Sequence, residues 1–435
     1  MAIAAPNTGT SATASSPGQS YGVPLATVTT LFFMWGFLTC LNDILVPHLK
    51  SIFDLNYTRV MLIQFAFFGA YFIFSIPSAK IIDWIGYQRS MVLGLLTMGV
   101  GAFLFVPAAS APSYPLFLGA LIVLAAGITC LQVAANPYVT VLGKPETASS
   151  RLNLTQAFNS LGTFLAPFFG GLFILTAAPD MNAIRALPPD ALQAFRLHEA
   201  ATVKTPYVGL GIALVVLAIA IGIFKLPKIE HAQHKVGEKV SDSIWKHPNL
   251  IFGAIGIFVY VGAEVSIGSF LVNYFGQPEI GGLTEKVAAS FVAFYWGGAM
   301  IGRFIGSALL QKVKTGSLLG ICAVCAASLV ALSMLTSGHF AMYSIILVGF
   351  FNSIMFPSIF TLGVAELGPL TGDGSGVMIM AIVGGAILPV AQGWIADHIG
   401  IHHAFFLPVI CYVYILFFAL NGSKPNSERY ARAQA

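Results

Sequence analysis

The chain has 435 residues, 57% of them hydrophobic and only 9% charged, with a formal net charge of +4. A soluble domain is about 25% charged because its surface faces water, so this composition argues against a water-soluble fold, and the basic patch that nucleic-acid binding requires is missing. The mean hydropathy of +0.83 resides in apolar runs of about 20 residues, each long enough to cross a bilayer as a helix, and the short alternating segments of a membrane β-barrel do not occur.

Met1 to Ser20 carries no Lys or Arg and is rich in Ala, Ser, Thr and Gly, which reads as a flexible cytoplasmic tail and not a secretory signal. The first predicted membrane helix, Leu25–Pro47, sets Trp35, Thr39 and the Asn42–Asp43 pair on one face. An Asp at the centre of a membrane helix costs about 2.5–3.5 kcal/mol. Asp43 has no cation within a helical turn on its own helix, the setting of a proton carrier. The alternative is an acid at an aqueous mouth, since Pro47 ends the helix soon afterwards.

Helices are next predicted over Val60–Ile82 and Ser90–Pro107, joined by a turn in which Asp83, Gly86 and Arg89 form a candidate gate latch. The fourth, Pro115–Leu142, carries Gln132 and Asn136 on one face; the fifth, Leu152–Thr176, carries Gln156, Asn159 and Thr163. Amides offer a donor beside an acceptor, which matches vicinal hydroxyls, although amides also serve simply to glue membrane helices together. Ala177–Thr205 is polar, with a candidate surface helix over Met181–Ala200, and precedes the sixth span, Pro206–Phe224.

A basic stretch, Lys225–His247, falls near mid-chain and reads as a linker. Beyond it the seventh span, Leu250–Phe275, carries Tyr260 and Glu264, the second acid at membrane depth: a cation or proton site, a hydroxyl acceptor, or a structural partner of Arg303. The eighth, Val287–Leu310, holds Tyr295 and Trp296, candidates with Trp35 for stacking on a sugar ring. It also holds Arg303 and the close-packing series Gly298, Gly302, Gly306. Ser317–Thr336, Ala341–Leu367 with Asn352, Gly374–Ala396 and Ala404–Leu420 complete twelve spans. The Gly372–Gly376 run follows a helix and not a strand, so it is no nucleotide loop.

An internal repeat divides the chain. Gln132, Pro137, Leu142 and Gly143 recur in the same order and at one constant offset as Asn352, Pro357, Leu362 and Gly363. Pro167 and Gly171 recur at almost the same offset as Pro389 and Gly393. Two pseudo-equivalent six-helix bundles imply a site between them, alternately open to each side. The expected organisation is a tail (1–20), an N-terminal bundle (21–226), a linker (227–247), a C-terminal bundle (248–421) and a second tail (422–435). With both termini in the cytoplasm of a bacterial inner membrane, fourteen Lys and Arg fall inside and six outside, Arg303 lying within a helix.

No Lys or Arg occurs in the outer or central parts of the first, fourth, seventh or tenth spans. A phosphate or carboxylate substrate would want such a clamp; a neutral polyhydroxyl substrate would not. The five cysteines, the Cys322–Cys325 pair included, lie in apolar runs without His or acidic company, so free thiols are expected and no metal, cofactor or catalytic constellation.

Three segments stop being generic: Leu41–Pro47 (LNDILVP), Gln132–Gly143 (QVAANPYVTVLG) and Arg151–Ser160 (RLNLTQAFNS). With Pro206–Tyr207, Gly302–Phe304 and Met355–Phe360, the chain resembles, from about Tyr21 to Leu420, the fucose–galactose–glucose:proton symporters of the major facilitator superfamily. The resemblance implies a twelve-helix major facilitator fold with a central sugar cavity. In the family's L-fucose permease, the positions of Asp43 and Gln132 form the coupling pair, and those of Trp35, Gln156 and Asn159 belong to the cavity. Gln132 stands where that permease has Glu, and Glu264 where it has an amide, so the acid pair here becomes Asp43 and Glu264. Gln132 and Leu41–Lys50 are similar to the bacterial glucose/galactose transporters.

The expectation is a monomeric importer of a neutral monosaccharide, D-glucose and/or D-galactose, driven by a cation gradient, with protons favoured over sodium. Asp43 and Glu264 are the coupling residues; Trp35, Asn42, Gln132, Asn136, Gln156, Asn159, Glu264, Trp296 and Asn352 bind substrate; Asp83, Arg89 and Arg303 gate. Sodium coupling, L-fucose as substrate, a polyspecific drug exporter on the same fold and a sugar sensor that binds without transport are the alternatives.

Overall fold

Within a bilayer an apolar chain satisfies its backbone by forming helices, and the computed structural model contains no strand among the described residues. These are residues 21–53, 57–110, 113–173, 187–227, 242–425 and 427, without the side chains of 41–52, 57–62, 64, 167, 168, 170–173 and 285. The predicted tail 1–20, most of the linker and of the tail 422–435, and the first part of Met181–Ala200 lie outside them.

The N-terminal half comprises α1 (Gly22–Phe53), α2 (Tyr57–Ser110), α3 (Tyr114–Val141), α4 (Ala148–Phe173), α5 (Pro189–Thr202) and α6 (Lys204–Ile223). The C-terminal half comprises α7 (Pro248–Phe275), α8 (Glu285–Leu309), α9 (Thr315–Leu335), α10 (Gly338–Asn352), α11 (Met355–Gly363), α12 (Thr371–Met380), α13 (Gly384–Ile399), α14 (Ile401–Ala404) and α15 (Phe406–Phe417), which ends in a π-helical turn, Phe418–Gly422.

Among the described residues ten stretches are long and apolar enough to span a membrane. At 54 residues α2 crosses twice, turning at Gly86 (φ 82°), a left-handed conformation that glycine adopts without steric cost. Counting that second traverse and α4 gives the twelve crossings expected. Two spans depart from expectation. The one predicted as a single helix over Ala341–Leu367 breaks after Asn352 and resumes at Met355, because Pro357 has no N–H to give the Ser353 carbonyl. The span over Gly374–Ala396 is likewise two helices joined by a tight turn at Ala381–Val383, and the Gly372–Gly376 run forms the first turns of α12.

The repeat is visible in the packing. A methyl group on Gly162 of α4 would overlap the Phe33 carbonyl of α1, and one on Gly384 of α13 would overlap the Phe258 carbonyl of α7. Phe258 and Gly384 stand in the second half where Phe33 and Gly162 stand in the first, at nearly the repeat offset. The same backbone-to-backbone approach therefore fastens the first helix to the fifth, and the seventh to the eleventh. The Gly298, Gly302 and Gly306 series faces the α10–α11 break: a methyl on Gly302 would meet the Ser353 Oγ at 2.5 Å. Gly162→Ala and Gly384→Ala are each expected to destabilise by about 1–3 kcal/mol, the usual cost of overpacking. Gly119→Ala, in open space, is expected to leave stability unchanged or raise it; thermal unfolding in detergent ranks the three.

At the start of the second half the Asp242 carboxylate meets the His247 Nε2 at 2.8 Å and accepts from the Ser243 N–H at 2.8 Å. His247 first, and the backbone N–H second, hold that carboxyl below its usual range. All five cysteines are free thiols.

Candidate functional site

α6 ends and α7 begins on the face where the two halves are connected, here termed the linker face. Polar contacts between the halves form two seams that start there. Along the first, α4 runs against α8. Ser150 donates to the Ser307 carbonyl at 2.7 Å and Ser307 returns a bond to the Ser150 carbonyl at 3.0 Å. Deeper in, the Asn153 amide donates to the Arg303 carbonyl at 2.7 Å. The Arg303 guanidinium then donates to the Gln156 carbonyl at 3.4 Å and to the Ser160 hydroxyl. Along the second seam, Lys80 of α2 pairs with Asp373 of α12 at 2.7 Å, and with Asp83 of its own helix at 3.7 Å, while the Ser375 hydroxyl donates to the Val133 carbonyl of α3 at 2.9 Å. Among the described residues, hydrogen bonds between the halves do not extend past Ser160 and Ser375 toward the opposite face.

The predicted gating residues therefore divide. Arg303 joins the halves at depth. Asp83 is half-buried and Arg89 exposed on the linker face, and the ion pair that spans the halves is made by Lys80 and Asp373, which sequence reasoning did not single out. A lysine ending a membrane helix reads as an orientation signal, and only the fold brings α12 to it.

In the N-terminal half, the Gln132 amide donates to the Tyr71 hydroxyl at 2.8 Å. The Gln156 amide donates to the Asn136 Oδ1 at 3.4 Å, and the Asn136 Nδ2, fully buried, has no hydrogen-bond partner in the protein. A buried donor left so costs about 1–3 kcal/mol, which marks it as a place for a ligand oxygen or water. Trp35 is buried with its ring 4.3 Å from that of Phe32. Asn159 behaves differently: its amide nitrogen is taken by the Phe32 carbonyl of α1 at 2.9 Å, so it fastens α4 to α1. The backbone of Asn42 and Asp43 belongs to α1, but their side chains lie outside the described residues.

In the C-terminal half, Tyr260 donates to the Glu264 Oε1 at 2.7 Å and approaches the Asn352 carbonyl at 3.1 Å. Asn352 donates to the Tyr295 hydroxyl at 2.8 Å and accepts from the Tyr412 hydroxyl at 2.8 Å. Both amide atoms of Asn352 are thus engaged by tyrosines, and it supports the site more than it presents a free group. The Tyr295–Asn352 pair repeats Tyr71–Gln132 in chemistry and in distance, at close to the repeat offset. Trp296 is 41% exposed and packs edge-on to Tyr295. Tyr71 and Tyr412 were not foreseen, since a tyrosine in an apolar run carries no polar signal of its own. Gln392 was also missed. It is fully buried and neither amide atom has a protein partner; an amide within an apolar run was the available signal.

Arg303 links the two sets. Its Nε donates to the Ser353 carbonyl at 3.2 Å, and its Nη1 reaches the Gln156 carbonyl and the Ser160 hydroxyl. Hydrogen bonds therefore join the Gln156 side chain to Asn136, and Arg303 joins the Gln156 carbonyl to the Ser353 carbonyl. Glu264, Tyr260 and Asn352 form a hydrogen-bonded set beside it, Asn352 preceding Ser353 in the chain. Such a set can hydrogen-bond a neutral polyhydroxyl molecule and hold an ionisable carboxyl beside it. Among the described residues no His/Cys/Asp/Glu cluster could hold a metal ion.

Residues 25–382 match the family model described as Major Facilitator Superfamily. The chain is 53% identical to a "Glucose/galactose transporter" of Brucella abortus biovar 1 (strain 9-941), covering 98% of this chain and 100% of that one. It is 35% identical to the "L-fucose-proton symporter" of Escherichia coli (strain K12), covering 92% and 93%. The crystal structure of the major facilitator superfamily transporter FucP in the outward conformation superposes with a TM-score of 0.86 at 33% identity, covering 93% of this chain and 100% of that one.

Proposed function

We propose, from the premise that this chain belongs to the major facilitator superfamily, that it is a secondary active importer of D-glucose and/or D-galactose, driven by a cation gradient, with protons as the coupling ion. The observation that carries the reading is the Arg303 bridge between the halves. It holds the Gln156–Asn136 side of one half to Ser353 of the other, next in the chain to the Asn352–Tyr260–Glu264 set. Amides of one half and an acid of the other thus meet at the interface of two pseudo-equivalent bundles. The absence of a cationic clamp in the outer and central parts of the first, fourth, seventh and tenth spans suits a neutral hexose. The names of the relatives, a glucose/galactose transporter and an L-fucose-proton symporter, point the same way.

In this reading Gln132, Asn136 and Gln156 meet sugar hydroxyls, with Asn42 beside them, and Trp35 and Trp296 pack on the ring. Asn159 and Asn352 hold the frame. Asp43 and Glu264 carry the coupling ion. The bundles, 21–226 and 248–421, rock about the site while linker 227–247 connects them, and the chain acts as a monomer in the inner membrane. Basic residues set both termini and the linker face in the cytoplasm. The seams at that face then belong to an outward-facing state, gated by Arg303 and by the Lys80–Asp373 pair with Asp83 and Arg89 nearby.

The test is uptake of labelled D-glucose, D-galactose and L-fucose into proteoliposomes under imposed pH or sodium gradients. Concentrative uptake of the first two under a pH gradient is expected, and uptake driven only by sodium reassigns the ion. Asp43→Asn is expected to abolish concentration of sugar while leaving exchange of internal for external sugar. If that variant concentrates sugar as well as the parent protein does, Asp43 is not the coupling residue.

A further inference from the structure

A proline inside a helix leaves the carbonyl four residues before it without its helical donor, and in the low-dielectric interior of a membrane protein that carbonyl must find another. Pro137 lies within α3 and frees the Val133 carbonyl; Pro357 frees the Ser353 carbonyl at the α10–α11 break. The two sites are repeat mates, related by the same offset at both the carbonyl and the proline. Each orphan is taken up by a residue that ties the halves together. The Ser375 hydroxyl, from α12 of the opposite half, donates to Val133 at 2.9 Å. The Arg303 Nε donates to Ser353 at 3.2 Å while its Nη1 holds Gln156 and Ser160 of the opposite half. Val133, Ser353 and Ser375 are all buried.

We infer that the proline-freed Val133 carbonyl is a latch point that holds the linker face closed and that the proline-freed Ser353 carbonyl positions Arg303 as its counterpart, the Ser375–Val133 bond and the Arg303 contacts to Gln156 and Ser160 breaking when the halves rock apart. A helix with its own hydrogen bonds complete would offer Ser375 no acceptor of equal need. The proline thus creates an acceptor strong enough to join two bundles and, being neutral, weak enough to release. The device works without titration, so it acts alongside the ion-coupled residues. It rests on the rocking motion proposed above. Hydrogen exchange on the full chain needs no substrate, however, so failure to transport sugar and failure of the latch are separate outcomes.

The experiment is amide hydrogen–deuterium exchange of the full-length protein in lipid nanodiscs, following segments 145–156 and 303–311 of the α4–α8 seam. Ser375→Ala removes the donor to Val133. Loss of one such bond shifts an opening equilibrium about two- to twelvefold, so exchange in these segments is expected to rise by at least about twofold. In a Pro137→Ala background Val133 regains a helical donor, and Ser375→Ala is expected to have a smaller effect than in the parent. Ser344→Ala is the control, because that hydroxyl bonds the Phe340 carbonyl of its own helix at 2.7 Å. Unchanged exchange in Ser375→Ala overturns the inference. So does an equal rise in Ser344→Ala, or an equal effect of Ser375→Ala with and without Pro137. Should Pro137→Ala fail to fold, the comparison of the two serine variants still decides.

Discussion

Glu264→Gln is expected to lose the ability to concentrate sugar while still exchanging it across the membrane. The substitution keeps the side chain's shape and leaves an oxygen to accept from Tyr260, whose hydroxyl donates to Glu264 at 2.7 Å. It removes the charge and the capacity to take up or release a proton. One coupled charge moving through 100 mV supplies about 2.3 kcal/mol, which permits roughly fiftyfold accumulation, since each 1.4 kcal/mol is a factor of ten. Without coupling, internal and external concentrations become equal. The measurement is gradient-driven uptake set beside counterflow in the same proteoliposomes. A variant that still concentrates sugar leaves Asp43 as the coupling acid and returns Glu264 to sugar binding or to structure. A variant that loses counterflow as well has lost the binding site, and Glu264 is then a sugar ligand.

Arg303→Met should be the most destabilising single change in the interface between the halves. Methionine keeps much of the apolar stem, so packing is largely preserved. What goes is the donor to the Ser353 carbonyl, the two contacts to α4, and a charge at the interface. Hydrogen bonds to a charged group are worth about 1.5–3 kcal/mol each. Arg303 is half-buried and its Gln156 contact is long at 3.4 Å, so a loss of about 3 kcal/mol is expected. Thermal unfolding in detergent measures it. If the charge on Glu264 accounts for much of the loss, adding Glu264→Gln to Arg303→Met should recover part of it, because neighbouring residues are not additive. Strict additivity of the two losses would mean that Arg303 stabilises the interface only through its hydrogen bonds. Arg303→Lys, which keeps the charge but not the planar fork, is expected to fall between.

Much of this was legible in the residue pattern, and the reasons are physical. A carboxyl or an amide inside an apolar run is costly, so Glu264, Gln132, Asn136 and Gln156 announce themselves, and the structure gives each a polar partner: Tyr260 for Glu264, Tyr71 for Gln132, and Asn136 and Gln156 for one another. Pro137 and Pro357 were visible as repeat mates. Their consequence was not, because a freed carbonyl has no side-chain letter and its new partner sits on another helix. Asn159 shows the opposite limit. It reads as a ligand by residue type and face, yet its amide nitrogen fastens α4 to α1, a choice made by the close approach of Gly36 to the Asn159 backbone. Asn352 was rightly singled out as the mate of Gln132, but its tyrosine partners come from helices 57 and 60 residues away.

By itself the sequence determined the membrane-spanning all-α class, the number of crossings, the two-fold internal repeat and the lack of Lys and Arg in the outer and central parts of the first, fourth, seventh and tenth spans. Each follows from free energies that act locally or along the chain: burial of apolar side chains, the cost of charge in lipid, the identity of residues at a fixed offset. Tertiary structure alone decided which carbonyl lost its donor to which neighbour, and that Lys80 meets Asp373. It likewise decided that Arg303 faces both halves at once. Those outcomes depend on distances of about 3 Å between groups far apart in sequence, and such distances exist only once the helices have packed.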